Sequence, residues 1–215
     1  SPHLHCFTER IRIDGTPIAR KDLARLAESV RLVADDVPLT FFEATTAMAL
    51  LAFKGRQVDI AVIETGLGGR LDATNIVEPL LCLITPISLD HSEHLGNSLA
   101  EIAAEKSGII KPGVPVVVGK QDPESAKVIL SAATDNDAAV QLAGRDFGWL
   151  GQHNKLLVAV GDNHFDDLSC ALAGKHQLDN YAQAVAAVCQ LRSQGVAIPD
   201  CAIRKAGRSV VWPGR

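Results

Sequence analysis

The chain is 215 residues long, 47% hydrophobic and only 4% aromatic, with a formal net charge of −4. That is enough apolar material for one large domain with a substantial core, and the mild acidity, with both signs spread along the chain, argues against a nucleic-acid footprint or a polybasic membrane patch. Five cysteines without a CxxC pair (Cys6, Cys82, Cys170, Cys189 and Cys201) argue against a disulfide frame or a structural zinc site and suit a reducing cytoplasm.

Glu9 to Ile13 alternates polar and apolar residues before Asp14-Gly15, which predicts a strand and a turn with Pro17 and Ile18 on the return. Leu23, Leu26, Ala27 and Val30 then fall on one face of a helix that Asp35 to Pro38 ends. Thr40 with Glu43 has the spacing of a capping box, and Ala44 to Phe53 predicts a helix buried on most sides. The longest apolar run, Ala47 to Phe53, is far short of the about 20 residues a membrane span needs.

Asp59 to Ile63 reads as a buried parallel strand that ends on Glu64 and empties into a glycine-rich loop carrying Arg70, Asp72, Thr74 and Asn75. Leu80 to Thr85 is a second buried strand, followed by the polar stretch Ser88 to His94. Ser98 and Glu101 predict another capping box, for a helix with Ile102, Ala103, Lys106, Ile109 and Ile110 on one face and Pro112-Gly113 at its end. A strand over Val114 to Val118, a helix from Pro123 to Thr134 and a strand over Ala138 to Leu142 complete the alternation. The fold class is therefore α/β, a mostly parallel sheet flanked by helices. Beyond Gly144, short strands at Phe147 to Trp149, Leu156 to Val160 and His164-Phe165 around Gly161-Asp162-Asn163 predict a small antiparallel β appendage. A helix over Asp179 to Arg192 turns Ala182, Val185, Ala186, Val188 and Cys189 to the core, and Pro199-Asp200 opens a last one.

Glu64 and Asp90-His91 stand at two strand ends, and Lys106 follows His91 by 15 positions on the next helix. Neighbouring strands would bring Glu64 and His91 above one sheet edge, where a carboxylate and an imidazole can hold a divalent cation. The plainer alternative is a Glu64 that caps a loop amide or pairs with Arg70, beside a His91 satisfied by hydrogen bonds. Lys106, on an apolar face, is desolvated in a way that favours its neutral, reactive amine; its plainer alternative is an ammonium that snorkels to solvent or pairs with Glu101 or Glu105. The Gly66 to Arg70 cluster is not a GxGxxG fingerprint and the chain has no GxxxxGK[ST], so a nicotinamide-binding domain has little support; the loop's content is amides that can approach an anion beside a guanidinium.

Several strings resemble, in order along the chain, the folylpolyglutamate synthase and dihydrofolate synthase family of ATP-dependent amide ligases, relatives of the Mur ligases. They are SPHL with FTERIRI (Ser1 to Ile13), LTFFEATT (Leu39 to Thr46), VIETGLGGRLDATN (Val62 to Asn75), LDHSEHLG (Leu89 to Gly96), IAAEKSGIIKPGVPVV (Ile102 to Val117), GKHQLDN (Gly174 to Asn180) and WPGR (Trp212 to Arg215). VIETGLGGRLDATN followed by LDH and EKSGIIK is the most specific combination.

The resemblance implies a Mur-ligase-like central ATP-binding domain over residues 1–215, and a ligase that joins L-glutamate to dihydropteroate or to folylpolyglutamate through an acyl phosphate, with ATP as co-substrate. It implies two Mg2+ sites: Ser1, Glu64 and His91 match magnesium-binding positions, and Lys106 matches a lysine whose carbamate helps hold the second ion. A histidine is an unusual partner for so hard a cation. Thr40, Phe41, Phe42 and Glu43, with Leu71, Asp72, Ala73 and Thr74, match segments that contact the pterin-bearing substrate. Asn180 and Arg215 match nucleotide contacts.

Two departures from the family pattern stand out. Its glycine-rich phosphate-binding loop precedes SPHL and its C-terminal, glutamate-binding domain follows WPGR, so the chain is expected to be the central piece of a longer, monomeric, cytoplasmic enzyme and to be inactive alone. The competing expectation is a catalytically inactive binding or assembly module derived from the same family.

Overall fold

The computed structural model describes residues 3–89 and 92–212. It divides into two compact units, Ser1–Val77 and Glu78–Arg215. All five cysteines are free, and among the described residues no helix is long and apolar enough to cross a membrane.

The first unit opens with a 3-10 turn, Phe7–Arg10, and a two-residue hairpin of β1 (Arg12–Ile13) and β2 (Thr16–Pro17). Asp14 and Gly15 both take positive φ, 51° and 76°, the combination that lets a two-residue turn follow the twist of its strands. The strand expected from Glu9 is therefore shorter, because Glu9 is spent locally: its carboxylate accepts from the amides of Leu4, His5 and Cys6. Helix α1 (Arg20–Val33) packs Leu23, Leu26 and Val30 against α2 (Phe41–Arg56) around buried Ile11, Ile18, Met48 and Ala52.

Helix α2 starts as its sequence predicts. Thr40 Oγ1 accepts from the Glu43 amide at 3.2 Å, and Glu43 Oε2 accepts from the Thr40 amide at 2.7 Å. The expectation that α2 is buried on most sides does not hold, since only Thr45, Thr46, Met48 and Ala52 are buried while Phe41 and Leu51 are 62% and 42% exposed. Asp59 to Ile63 likewise forms no strand, and Val62 is 92% exposed. A parallel strand exists only through lateral hydrogen bonds and cover on both faces. The first unit offers just the β1–β2 hairpin among its described residues.

The second unit holds the parallel sheet, β3 (Cys82–Ile84), β4 (Val116–Val118) and β5 (Val140–Leu142), in the order β3-β4-β5. Between β3 and β4 come the short α3 (Ser92–Leu95) and α4 (Leu99–Ser107); α5 (Pro123–Asp135) links β4 to β5. Alternation along β4 feeds two cores: Val116 and Val118 meet Ile102 and Ala103 of α4 and Ile129 and Ala133 of α5, whereas Val117 joins Ala182, Val185 and Ala186 of α6 (Lys175–Ser193). Helix α4 stops at Ser107, short of the expected Ile109 and Ile110, with Gly108 as its C-cap.

The antiparallel appendage is present as β6 (Phe147–Gln152), β7 (Lys155–Val160) and β8 (Asn163–Leu168). Leu156, Val158 and Val160 point inward from β7 at alternate positions and share the α6 core with Leu178 and with Ile203 of α7 (Asp200–Ser209). The class is α/β, as the element pattern predicts.

Candidate functional site

Two of the expected substrate segments meet within the first unit. Helix α2 packs against the 3-10 turn Ala73–Ile76, and near its N-terminus the Phe42 ring lies over Gly66. The loop between them is fastened by Asp72. Its Oδ2 accepts from the amides of Gly66 and Leu67, both at 2.9 Å, and its Oδ1 accepts from the Thr74 amide at 2.9 Å and from the Thr74 hydroxyl. Asn75 closes the other side by donating from Nδ2 to the Arg70 carbonyl at 3.0 Å. Gly68 has φ +67°, a left-handed turn that a side chain would strain. Asp72 is thus occupied within the loop, and Glu64 and Arg70 stand exposed at its start and on its turn.

At the start of α2, the Glu43 carboxyl is held below the usual range, first by the Thr40 hydroxyl and then by the Thr40 amide. Phe41 is edge-on to Phe7, with ring centroids 5.4 Å apart, and lies under the Arg10 guanidinium at 5.5 Å. The helix start thus presents a partly exposed aromatic ring, stacked by Arg10, beside a loop fastened by its own hydrogen bonds.

In the second unit Lys106 is half-buried in the last turn of α4, on the helix whose inner face carries Ile102 and Ala103. It is not paired with Glu101. That carboxylate accepts from the amides of Asn97 and Ser98 at 2.7 and 3.1 Å, which, with the Ser98 hydroxyl, hold it below the ordinary range. Asn180 is exposed on α6, where its Nδ2 donates to Gln177 Oε1 at 3.3 Å. Gly174, φ +101°, precedes that helix, so GKHQLDN forms the helix start.

Of the expected metal positions, Ser1 and His91 lie outside the described residues, as does the nucleotide contact Arg215. Glu64 belongs to the first unit and Lys106 to the second. Among the described residues no three His, Cys, Asp or Glu side chains form a group that could hold a metal. The donor chemistry fits magnesium through the Glu64 carboxylate; Lys106 becomes an oxygen donor only as a carbamate.

Sequence reasoning passed over two glutamines at the carboxyl edge of the parallel sheet. Gln121 Nε2 donates to the Thr85 carbonyl at 2.8 Å and Gln183 Nε2 to the Ile84 carbonyl at 2.9 Å, fixing the exit of β3. The available signal was Gln183 itself, a polar residue within the apolar stripe of α6.

A family model described as the Mur ligase middle domain matches residues 21–188. The dihydrofolate synthase/folylpolyglutamate synthase of Bacillus subtilis is 35% identical over 237 residues, covering 100% of this chain and 53% of its own length. Its counterpart of the same name in Escherichia coli is 34% identical over 215 residues, covering 100% of this chain and 49% of its own. The chain thus spans about half the length of these curated relatives. Among solved structures, the folylpolyglutamate synthase of Mycobacterium tuberculosis complexed with ADP matches with a TM-score of 0.92 at 34% identity, over 100% of this chain and 51% of that one. An FPGS–AMPPCP–folate complex matches with a TM-score of 0.91 at 32% identity, over 100% and 56%.

Proposed function

Since the chain belongs to the Mur ligase middle-domain family, we propose that it is the central part of an ATP-dependent ligase that adds L-glutamate to dihydropteroate, to folylpolyglutamate, or to both. The observation that carries this reading is the packing of Phe42 on Gly66, which joins the Thr40 to Glu43 segment to the Asp72-fastened loop in one surface. Support comes also from relatives named dihydrofolate synthase/folylpolyglutamate synthase that align with all of the chain, and from a neighbour that is a complex with AMPPCP and folate.

In this reading the Phe41 to Glu43 start of α2 and Leu71 to Thr74 orient the pterin-bearing acid, while Asn180 and Arg215 hold the nucleotide. The carboxylate takes the terminal phosphoryl group of ATP as ADP leaves, the glutamate amine attacks the acyl phosphate and gives up a proton, and phosphate leaves as the amide forms. Ser1, Glu64 and His91 would hold one Mg2+, and Lys106, as a carbamate, would help hold a second. Bound magnesium offsets the repulsion between polyphosphate and carboxylate.

The test uses the protein expressed from its complete gene, with Mg·ATP, labelled glutamate, and either dihydropteroate or a reduced folate. Expected is an amide product with one phosphate released per bond, lost in Glu64→Ala and Lys106→Ala. A folded wild-type protein that binds the pterin substrate and forms no product would overturn the ligase reading and leave the inactive binding module.

A further inference from the structure

Arg10 has no part in the chemistry above, yet it is fixed over the first residue of α2, beside the segment assigned to the pterin-bearing acid. Its Nε donates to His3 Nδ1 at 2.9 Å, and its guanidinium carbon stands 5.5 Å from the centre of the Phe41 ring. The rings brace one another in turn, with His3 edge-on to Phe7 at 6.0 Å and Phe7 edge-on to Phe41 at 5.4 Å. A long, flexible cation is thus oriented before any ligand arrives, so less side-chain entropy is lost when one binds.

What the guanidinium lacks is an anion. Among the described residues no carboxylate pairs with it, and of its nitrogens only Nε has an acceptor. The carboxylates nearest in the chain and at the helix start are spent elsewhere: Glu9 accepts from the amides of Leu4, His5 and Cys6, and Glu43 accepts from the Thr40 amide. With Nε taken by His3, Nη1 and Nη2 remain as the end-on pair that grips a planar carboxylate through two parallel N–H bonds. Phe41 beneath is 62% exposed and follows the Thr40 cap directly. A ligand that touches this ring therefore meets Arg10 as well.

Which carboxylate would sit there follows from the chemistry. In dihydropteroate the sole carboxylate must attack phosphorus, and a guanidinium clamped on both its oxygens would tie up the lone pairs it needs. A folyl substrate carries two carboxylates on its terminal glutamyl residue; one is activated, and the other stays an unreacting anion. We propose that Arg10 is a specificity-determining residue whose guanidinium, oriented by His3 and stacked on Phe41, pairs with that unreacting carboxylate of a folyl substrate. The proposal rests on the ligase reading above.

The test compares Arg10→Gln and Arg10→Lys with wild type in the protein expressed from its complete gene, with dihydropteroate and tetrahydrofolyl monoglutamate as the two acids. Arg10→Gln is expected to raise the KM for the folyl acid, and its Kd by calorimetry without ATP, by about tenfold or more, the scale of lost hydrogen bonds to a charged group, while both values for dihydropteroate change less than about twofold. Arg10→Lys keeps the charge without the fork and should fall between. Equal losses for both acids would place Arg10 on the part they share, and unchanged values for both, with or without a lower Tm, would leave it merely structural; either result overturns the proposal. If Arg10→Gln does not fold, Arg10→Lys carries the same comparison. Wild-type protein that binds both acids and forms no amide would sink the ligase reading alone. A ratio of the two Kd values that is the same in wild type and Arg10→Gln would sink the carboxylate role by itself.

Discussion

Phe42 lies so close over Gly66 that a Cβ on the glycine would stand 2.5 Å from the ring Cζ, with two further ring carbons within 2.8 Å. Gly66→Ala must therefore push the ring aside, an overpacking that costs about 1–3 kcal/mol. In a Phe42→Leu background the smaller side chain leaves room, and the penalty should fall to under about half. Urea unfolding of the four members of this cycle measures the coupling. Equal penalties in both backgrounds would show that the two residues do not constrain each other.

Asp72 is expected to be the main fastening of the glycine-rich loop. Asp72→Ala removes the acceptor for the Gly66, Leu67 and Thr74 amides, at a cost of about 1–3 kcal/mol, softened where water can replace the carboxylate. Asp72→Asn keeps one acceptor oxygen and should lose less. Hydrogen exchange at those three amides reports the effect directly; protection unchanged in Asp72→Ala would refute it.

Ser98 begins the helix that carries Lys106, accepting from the Glu101 amide at 3.2 Å. Ser98→Ala is expected to cost about 1 kcal/mol through fraying of the first turn of α4. Ser98→Asp, which keeps an acceptor and adds a negative charge at the helix start, should stay close to wild type. Thermal unfolding separates the two variants, and equal Tm values for alanine and aspartate would contradict the capping account.

The carboxylates that cap helix starts give stability an acid dependence. Glu43 is held below its ordinary range chiefly by Thr40, Glu9 by the amides of Leu4, Cys6 and His5, and Glu101 by those of Asn97 and Ser98 with the Ser98 hydroxyl. Carboxyl groups depressed in the folded state contribute stability that is complete above the unfolded value, about 4.3 for glutamate, and is lost as pH falls through the lower folded values. Tm should therefore hold from pH 7 to about 5 and decline below, less steeply in Glu101→Gln, which keeps an acceptor but does not titrate. An identical acid slope in that variant would remove Glu101 from the explanation.

Local chemistry was legible in the sequence. Both capping boxes, Thr40 with Glu43 and Ser98 with Glu101, form as their spacing predicts, because each needs only four consecutive residues. The inward alternation of Leu156, Val158 and Val160 and the apolar stripe of α6 were equally readable, since period alone separates a strand from a helix. The motifs that carry the family resemblance were legible for the same reason, each being a contiguous string.

Other features needed the tertiary structure, because they depend on partners far away in the chain. Asp59 to Ile63 has the composition of a buried strand, yet a strand is a relation between neighbours, and the described part of its unit supplies no parallel sheet for it to join, only the β1–β2 hairpin. Gln183 reaches a carbonyl 99 residues away, and no local pattern announces that Ile84 will be there to accept. Phe42 and Gly66 look unrelated in sequence until the helix start and the loop fold onto each other. Residue types and their spacing thus determined the local caps, turns and family strings, and long-range packing decided which side chains meet across the fold, because contacts between distant residues leave no local pattern.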